Sequence, residues 1–258
     1  MPAPVRSADT VVEALVALAR QQRPDLVVLS GDITQRARPV QFRAARALTD
    51  RLGLPLLAIP GNHDIPLFAP WTRLRRPYAR YIAAFGADLE PVHCLPDLMV
   101  VCVNTTRAWR HKDGEISALQ IDRVARLLER ADAAQLRVVV VHQPAAVMRP
   151  QDLKNRLHGH AAALPRLAAA GADLIMGGHI HLPYVMALEG LARPMWVVQA
   201  GTAVSSRVRA GVPNSVNLLR WTGADSPQGS CLIEQWDYSA AERVFVRARV
   251  SEIRPART

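Results

Sequence analysis

The sequence predicts an α/β protein with a β-rich C-terminal end. Three observations carry this: short apolar runs alternate with stretches of helical period between Thr10 and Met176, several of those runs end on polar, glycine-containing motifs, and helical periodicity stops after Leu182. The first helix is expected from Thr10 to Gln22, where Val11, Val12, Leu15, Val16 and Leu18 recur at helical spacing and Pro24 closes the segment. Asp25 to Ser30 then reads as a buried strand, Pro39 to Leu52 as a second helix, and Leu54 to Ile59 as the next strand. Pro39 suits a first helical turn and Gly53 a helix end. Pro66 to Gly86 is expected to hold a loop and a helix at Tyr78 to Phe85. Strands follow at Leu98 to Asn104, Arg137 to His142 and Asp173 to Met176, with helices at Ser117 to Ala131 and Ala161 to Ala170 between them. The remaining strands are placed at Tyr184 to Leu188, Met195 to Ala200, Ser215 to Trp221, Cys231 to Tyr238 and Arg243 to Val250.

With 50% hydrophobic and 21% charged residues, no repeat and no compositional break, residues 1–258 read as one domain. Its motif-bearing core spans 24–183 and its β-rich part 184–250. The longest apolar runs fall far short of the roughly 20 residues of a membrane span, and Met1 to Thr10 lacks the pattern of a secretory signal. Cys94, Cys102 and Cys231 are widely spaced among apolar neighbours and are expected to be reduced core thiols, so a cytoplasmic location is expected. The net charge of +10 is compatible with nucleic acid, but Lys112 and Lys154 are the only lysines and the arginines are scattered, which fits a solvated surface better than a binding tract.

In open α/β sheets, functional residues lie beyond the carboxyl ends of strands. Here the strands run into Gly31-Asp32, into Gly61-Asn62-His63-Asp64, into His142-Gln143-Pro144, and into Gly177-Gly178-His179-Ile180-His181. Each motif alone is commonplace. Together they bring carboxylate, amide and imidazole groups to one rim, a donor set suited to divalent manganese, iron or zinc.

This ordered set resembles the calcineurin-like metallophosphoesterase family over roughly Pro24 to Pro183, and within it the bacterial cyclic-nucleotide and glycerophosphodiester phosphodiesterases. The resemblance implies a four-layer αββα sandwich with two mixed β-sheets, two divalent metal ions and a small phosphorylated substrate. It implies that Asp32 bridges the metals, that Asn62, His142 and His179 complete the second metal's shell, and that His181 belongs to the first. His63, oriented by Asp64, would stabilise the transition state or protonate the leaving oxygen. Such chemistry suits a phosphodiester, whose negative charge repels anionic nucleophiles until metal ions neutralise it and acidify a water.

The pattern departs from the family at one point. The family opens with a strand ending in Asp-x-His, and none of the eight histidines here has an aspartate two residues before it. The first strand is therefore expected to be missing, through a shortened start or through true loss, leaving the first metal with Asp32 and His181 alone. A version extended upstream through Asp-x-His is expected to be the more active. The alternatives to a phosphodiesterase are a catalytically impaired metal-binding scaffold and a nuclease. Asn104, Arg107 and His111 are substrate-contact candidates; His158 and His160 mimic the ligand spacing without a preceding strand. Gly201-Thr202 could line the pocket near Arg207 and Arg209, and Trp71, Tyr78 and Tyr81 could stack a base.

Overall fold

The first described element is helix α1 (Ser7–Gln22), whose Val11, Ala14 and Leu18 fall on one face and are buried. A computed structural model describes residues 7–67, 69–205, 208–223 and 229–256. After α1 comes strand β1 (Val27–Leu29), helix α2 (Pro39–Leu52) and strand β2 (Leu56–Ala58), parallel to β1. Pro39 opens α2, and Gly53 closes it at φ 65°, the left-handed conformation that favours glycine.

Short helices α3 (Pro70–Arg75) and α4 (Ala79–Phe85) precede the hairpin of β3 (Val92–Leu95) and β4 (Leu98–Cys102). Helix α5 (Ala118–Leu128) is capped by Ser117, whose hydroxyl accepts from the Gln120 amide. Strand β5 (Leu136–Val140), helix α6 (His160–Ala169), and strands β6 (Leu174–Gly177), β7 (Tyr184–Leu188) and β8 (Met195–Gln199) complete a six-stranded mixed sheet of order β3-β4-β5-β6-β8-β7. Its middle four strands are parallel, and the edge strands β3 and β7 run antiparallel to their neighbours. The chain ends in an antiparallel meander of β9 (Ser215–Trp221), β10 (Cys231–Ser239) and β11 (Val244–Ile253).

The clusters of buried side chains define the layers. Val101, Val139, Val141 and Ile175 point to one face of the six-stranded sheet, where they pack with Val124 and Leu128 of α5 and Leu167 of α6. The alternate residues Val100, Cys102, Val138, Val140 and Leu174 point to the other face, as strand periodicity requires. There they meet Leu57 and Ile59 from the β2 segment and Ile233 and Ile253 from the meander. Helix α1 covers the far side of the meander against Phe245, Trp236 and Tyr238, and Phe42 of α2 packs with Ala58 and Tyr81. This is the expected αββα layering, with one layer in two pieces: the β1-β2 pair and the meander form separate sheets. Among the described residues β1 pairs with β2 alone, and all three of its residues are half-buried. Each fully buried Val or Leu in these clusters contributes about 1.5–3 kcal/mol.

Several local expectations change. β3, α3 and the 3-10 turn Pro150–Asn155 were not anticipated. Cys102 and Cys231 are buried as expected, but Cys94 is exposed, because it lies on the solvent-facing side of edge strand β3.

Candidate metal centre

Four strand ends converge beside the inter-sheet core. Asp32 follows β1 at φ 52°, Asn62 begins the 3-10 turn Asn62–Asp64 after β2, His142 follows β5, and His179 follows β6 at φ 71°. Ligand atoms of Asp32, His142 and His179 lie within 4.8 Å of one another. His142 Nε2 is 3.2 Å from Asp32 Oδ1 and 3.1 Å from Asn62 Oδ1. The other ring nitrogen, Nδ1–H, donates to the Ser30 carbonyl at 2.8 Å, which turns Nε2 toward Asp32 and Asn62. Burial opposes protonation of the ring, but the Asp32 carboxylate outweighs it and raises the His142 pKa, so a proton on Nε2 pairs with Asp32 and a cation bound there would take that proton's place.

Two glycines make this approach possible. A Cβ on Gly31, at φ 92°, would stand 2.4 Å from His142 Nδ1, and one on Gly61 would stand 2.0 Å from the Asp32 nitrogen. Only hydrogen fits at either place.

The electrostatics fit a cation. Among the described residues, Asp32 Oδ2 and His179 Nδ1 are buried with no hydrogen-bond partner, a costly condition that a bound ion would relieve. Burial opposes ionisation of Asp32, but His142 outweighs it by charge and hydrogen bond, with His63 adding, and holds the carboxyl well below the usual range. Burial, reinforced by the neighbouring His142, pushes His179 down to about 3, so its imidazole is neutral and free to ligate. His181 is likewise lowered, chiefly by burial. Asn62, Asp32, His142 and His179 thus offer two oxygens and two nitrogens, a set that suits a borderline divalent ion.

His181, at φ 55°, stands two residues from His179, and its Nδ1 is hydrogen-bonded to the Thr202 hydroxyl. It lines a cavity of about 390 Å³ with His179, Ile180, Asp152, Asn155, Val208 and Arg209. His63 is exposed; its backbone N–H donates to Asp32 Oδ1 at 2.9 Å, and its ring Nδ1–H donates to the Gln35 carbonyl at 3.0 Å. The carboxylate–imidazole pair expected between Asp64 and His63 is not formed. Asp64 is fully buried and accepts instead from Ile33 N, Thr34 N, Thr34 Oγ1 and Gly61 N at 2.7–3.0 Å, tying the β1 and β2 loops together.

The family described as calcineurin-like phosphoesterase matches residues 5–183. The chain belongs to that family. A glycerophosphodiester phosphodiesterase of Enterobacter lignolyticus is 52% identical over 44 residues, 17% of this chain and 16% of that protein. A cAMP/cGMP dual specificity phosphodiesterase of Mycobacterium tuberculosis is 25% identical over 62% of this chain and 49% of its own length. The chain thus spans about half the length of the second of these relatives. In three dimensions, a dimetal phosphatase from Danio rerio superposes with a TM-score of 0.67 at 16% identity, covering 97% of this chain and 90% of that one, which shows the shared fold.

Other expected site residues lie elsewhere. Asn104 and Arg107 line a separate cavity of about 600 Å³ with Tyr78, Glu90, Trp109 and Gln120. Both are engaged internally: Asn104 Oδ1 accepts from Thr106, and the Arg107 guanidinium donates to two backbone carbonyls and Gln120 Oε1. His111 is exposed on the same loop. His160 donates from Nδ1 to Leu157 O, and neither it nor His158 joins the ligand cluster found among the described residues. Tyr81 is fully buried and Tyr78 bonds Thr106, so of the three proposed base-stacking rings only Trp71 is exposed. Arg207 lies outside the described residues. Sequence reasoning missed Ser30, Gln35 and Thr34, which act through backbone or loop contacts that carry no pattern.

Proposed function

We propose that this phosphoesterase hydrolyses a phosphodiester, with cyclic nucleotides or glycerophosphodiesters as the substrate class, in a reaction that depends on divalent metal. The observation that carries the proposal is the convergence of Asp32, Asn62, His142 and His179 with two buried ligand atoms left unpartnered. A divalent ion bound there supplies positive charge against the phosphoryl oxygens and acidity to water. Ser30 holds His142 with Nε2 toward Asp32 and Asn62, and Gly31 and Gly61 let the ligand-bearing loops close. His63 is accessible and its Nδ1 is held by the Gln35 carbonyl, which leaves Nε2 as the nitrogen that, when protonated, would deliver a proton to the departing ester oxygen. The two relatives named above, phosphodiesterases by name, support the substrate class.

The test is hydrolysis of bis(p-nitrophenyl) phosphate, a cyclic nucleotide and glycerophosphocholine by metal-stripped protein with and without manganese. Turnover restored by manganese and lost in His142→Ala is the expected result. Turnover that survives chelation, or manganese binding with no turnover of any diester, overturns it. The alternative is a metal-binding scaffold of low activity, and metal stoichiometry separates the two. Near two ions per chain supports the enzyme, and one ion without turnover supports the scaffold.

A further inference from the structure

The turn that carries His179 and His181 is strained. Both residues sit in the left-handed region, at φ 71° and φ 55°, which costs a residue with a side chain about 1–2 kcal/mol. Such a turn persists only where its surroundings hold it. On its inner side the Gly178 N–H donates to His142 O at 2.8 Å, while Gly178 O accepts from Ile180 N and from the Gln199 amide.

On its outer side the turn meets Arg209. The Arg209 Nη1 donates to the Ile180 carbonyl at 3.3 Å, between the two histidines. The same guanidinium holds the Asp152 carboxylate through Nη1 at 3.2 Å and Nη2 at 3.1 Å. The side chain of Asp152 is 7% exposed and that of Arg209 21%, unlike the exposed pairs Arg46–Asp50, Arg51–Glu13 and Arg166–Glu129. A buried carboxylate held by a bidentate arginine has one geometry, and so fixes where the guanidinium points. Neither side chain is within the ligand cluster of Asp32, His142 and His179.

We propose that Asp152 and Arg209 are positioning residues for the metal centre: the pair clamps the Ile180 carbonyl and thereby holds the His179–His181 turn in its strained, ligand-presenting conformation. The inference rests on the metal-centre reading above. Removal of either partner lets the turn relax toward ordinary backbone, and His179 leaves its place beside Asp32 and His142.

The experiment is manganese titration of the metal-stripped full chain, with free ion followed by electron paramagnetic resonance, for wild type, Asp152→Asn, Arg209→Met and Arg209→Lys. Arg247→Met is the control, because it removes an ion pair with Glu234 in the meander. Circular dichroism and melting of each metal-free protein verify the fold. The dissociation constant is expected to rise about 10–100-fold in Asp152→Asn and Arg209→Met, as when supporting partners of ligands are lost. Arg209→Lys, which keeps the charge without the fork, should fall between these and wild type, and Arg247→Met should match wild type. Should Arg209→Met fail to fold, the nearly isosteric Asp152→Asn carries the test. Wild-type affinity in folded Asp152→Asn, or an equal loss in Arg247→Met, overturns the clamp alone. A wild-type chain that binds no manganese overturns the metal-centre reading and the clamp with it.

Discussion

Replacing Asp64 by asparagine tests the finding that this residue builds the site's floor rather than orienting His63. In the native chain Oδ1 accepts from Thr34 N at 2.7 Å and Thr34 Oγ1 at 2.9 Å, while Oδ2 accepts from Ile33 N at 3.0 Å and Gly61 N at 2.9 Å. An amide keeps one oxygen, so two of the four donors lose their acceptor and face an NH2 group. At about 1–3 kcal/mol for each unsatisfied buried donor, less what is regained by removing a buried charge, the net loss is about 2–4 kcal/mol. For a chain of this size that lowers Tm by roughly 4–16 °C. Urea unfolding of metal-free protein gives the number, with His63→Gln as the partner variant. The exposed His63 should change stability by about 0.5 kcal/mol or less while losing turnover. Burial, with Asp32 adding, raises Asp64 to about 6, above its unfolded value of 3.8, so the native state holds the extra proton between those values. Its contribution to stability is therefore present at low pH and lost as pH rises through about 6, and this slope should vanish in Asp64→Asn. An Asp64→Asn protein within about 0.5 kcal/mol of wild type would refute the reasoning.

Other predictions follow from the same geometry. Asp32 is depressed in the folded chain, so its share of stability is present above its unfolded value of 3.8 and is lost as pH falls below it; Asp32→Asn should flatten the acid limb of a stability–pH curve. Gly61→Ala places a methyl group against the Asp32 backbone and should lower both stability and manganese affinity, read by urea unfolding and by titration. His142→Ala removes the ring that joins Asp32, Asn62 and Ser30 and should weaken manganese binding by more than about 100-fold, beyond the effect of losing a supporting partner. With Cys102 buried and pushed up to about 12, and Cys231 buried, only Cys94 should react with a thiol reagent in the native state. Three thiols should react on unfolding.

Much of the fold was legible because its determinants are local. The parallel strands β4, β5 and β6 are buried on both faces and read as continuous apolar runs, and Pro39, Gly53 and Ser117 mark helix ends by their own backbone chemistry. β3 escaped because an edge strand alternates exposed and half-buried residues and here includes His93 and Cys94. α3 escaped because its arginine-rich turn has no buried residue to set a period. At the site, the ligand-type residues stood out by following strands, but their supports did not. Ser30 and Gln35 contribute main-chain carbonyls, which any residue could supply, and Asp64 was misassigned because adjacency to His63 in sequence says nothing of where its carboxylate points. Thr202 and Arg209 were noticed only as possible pocket lining; their bonds to His181 and Ile180 depend on chain folding back from the meander side.

The Ser30 carbonyl that orients His142 comes from 112 residues earlier in the chain, and Asn62 reaches the same ring across 80. No short fragment therefore contains the ligand set, and ion binding there would be a property of the assembled topology. Forming such non-local contacts is slow, and an ion bound there would gain its full ligand set only once these loops have come together. A metal that binds only the native state at a hundredfold excess over its dissociation constant adds about 2.7 kcal/mol to the whole fold. Where ligands come together only after the transition state, such stabilisation acts on the rate of unfolding and leaves the rate of folding nearly untouched.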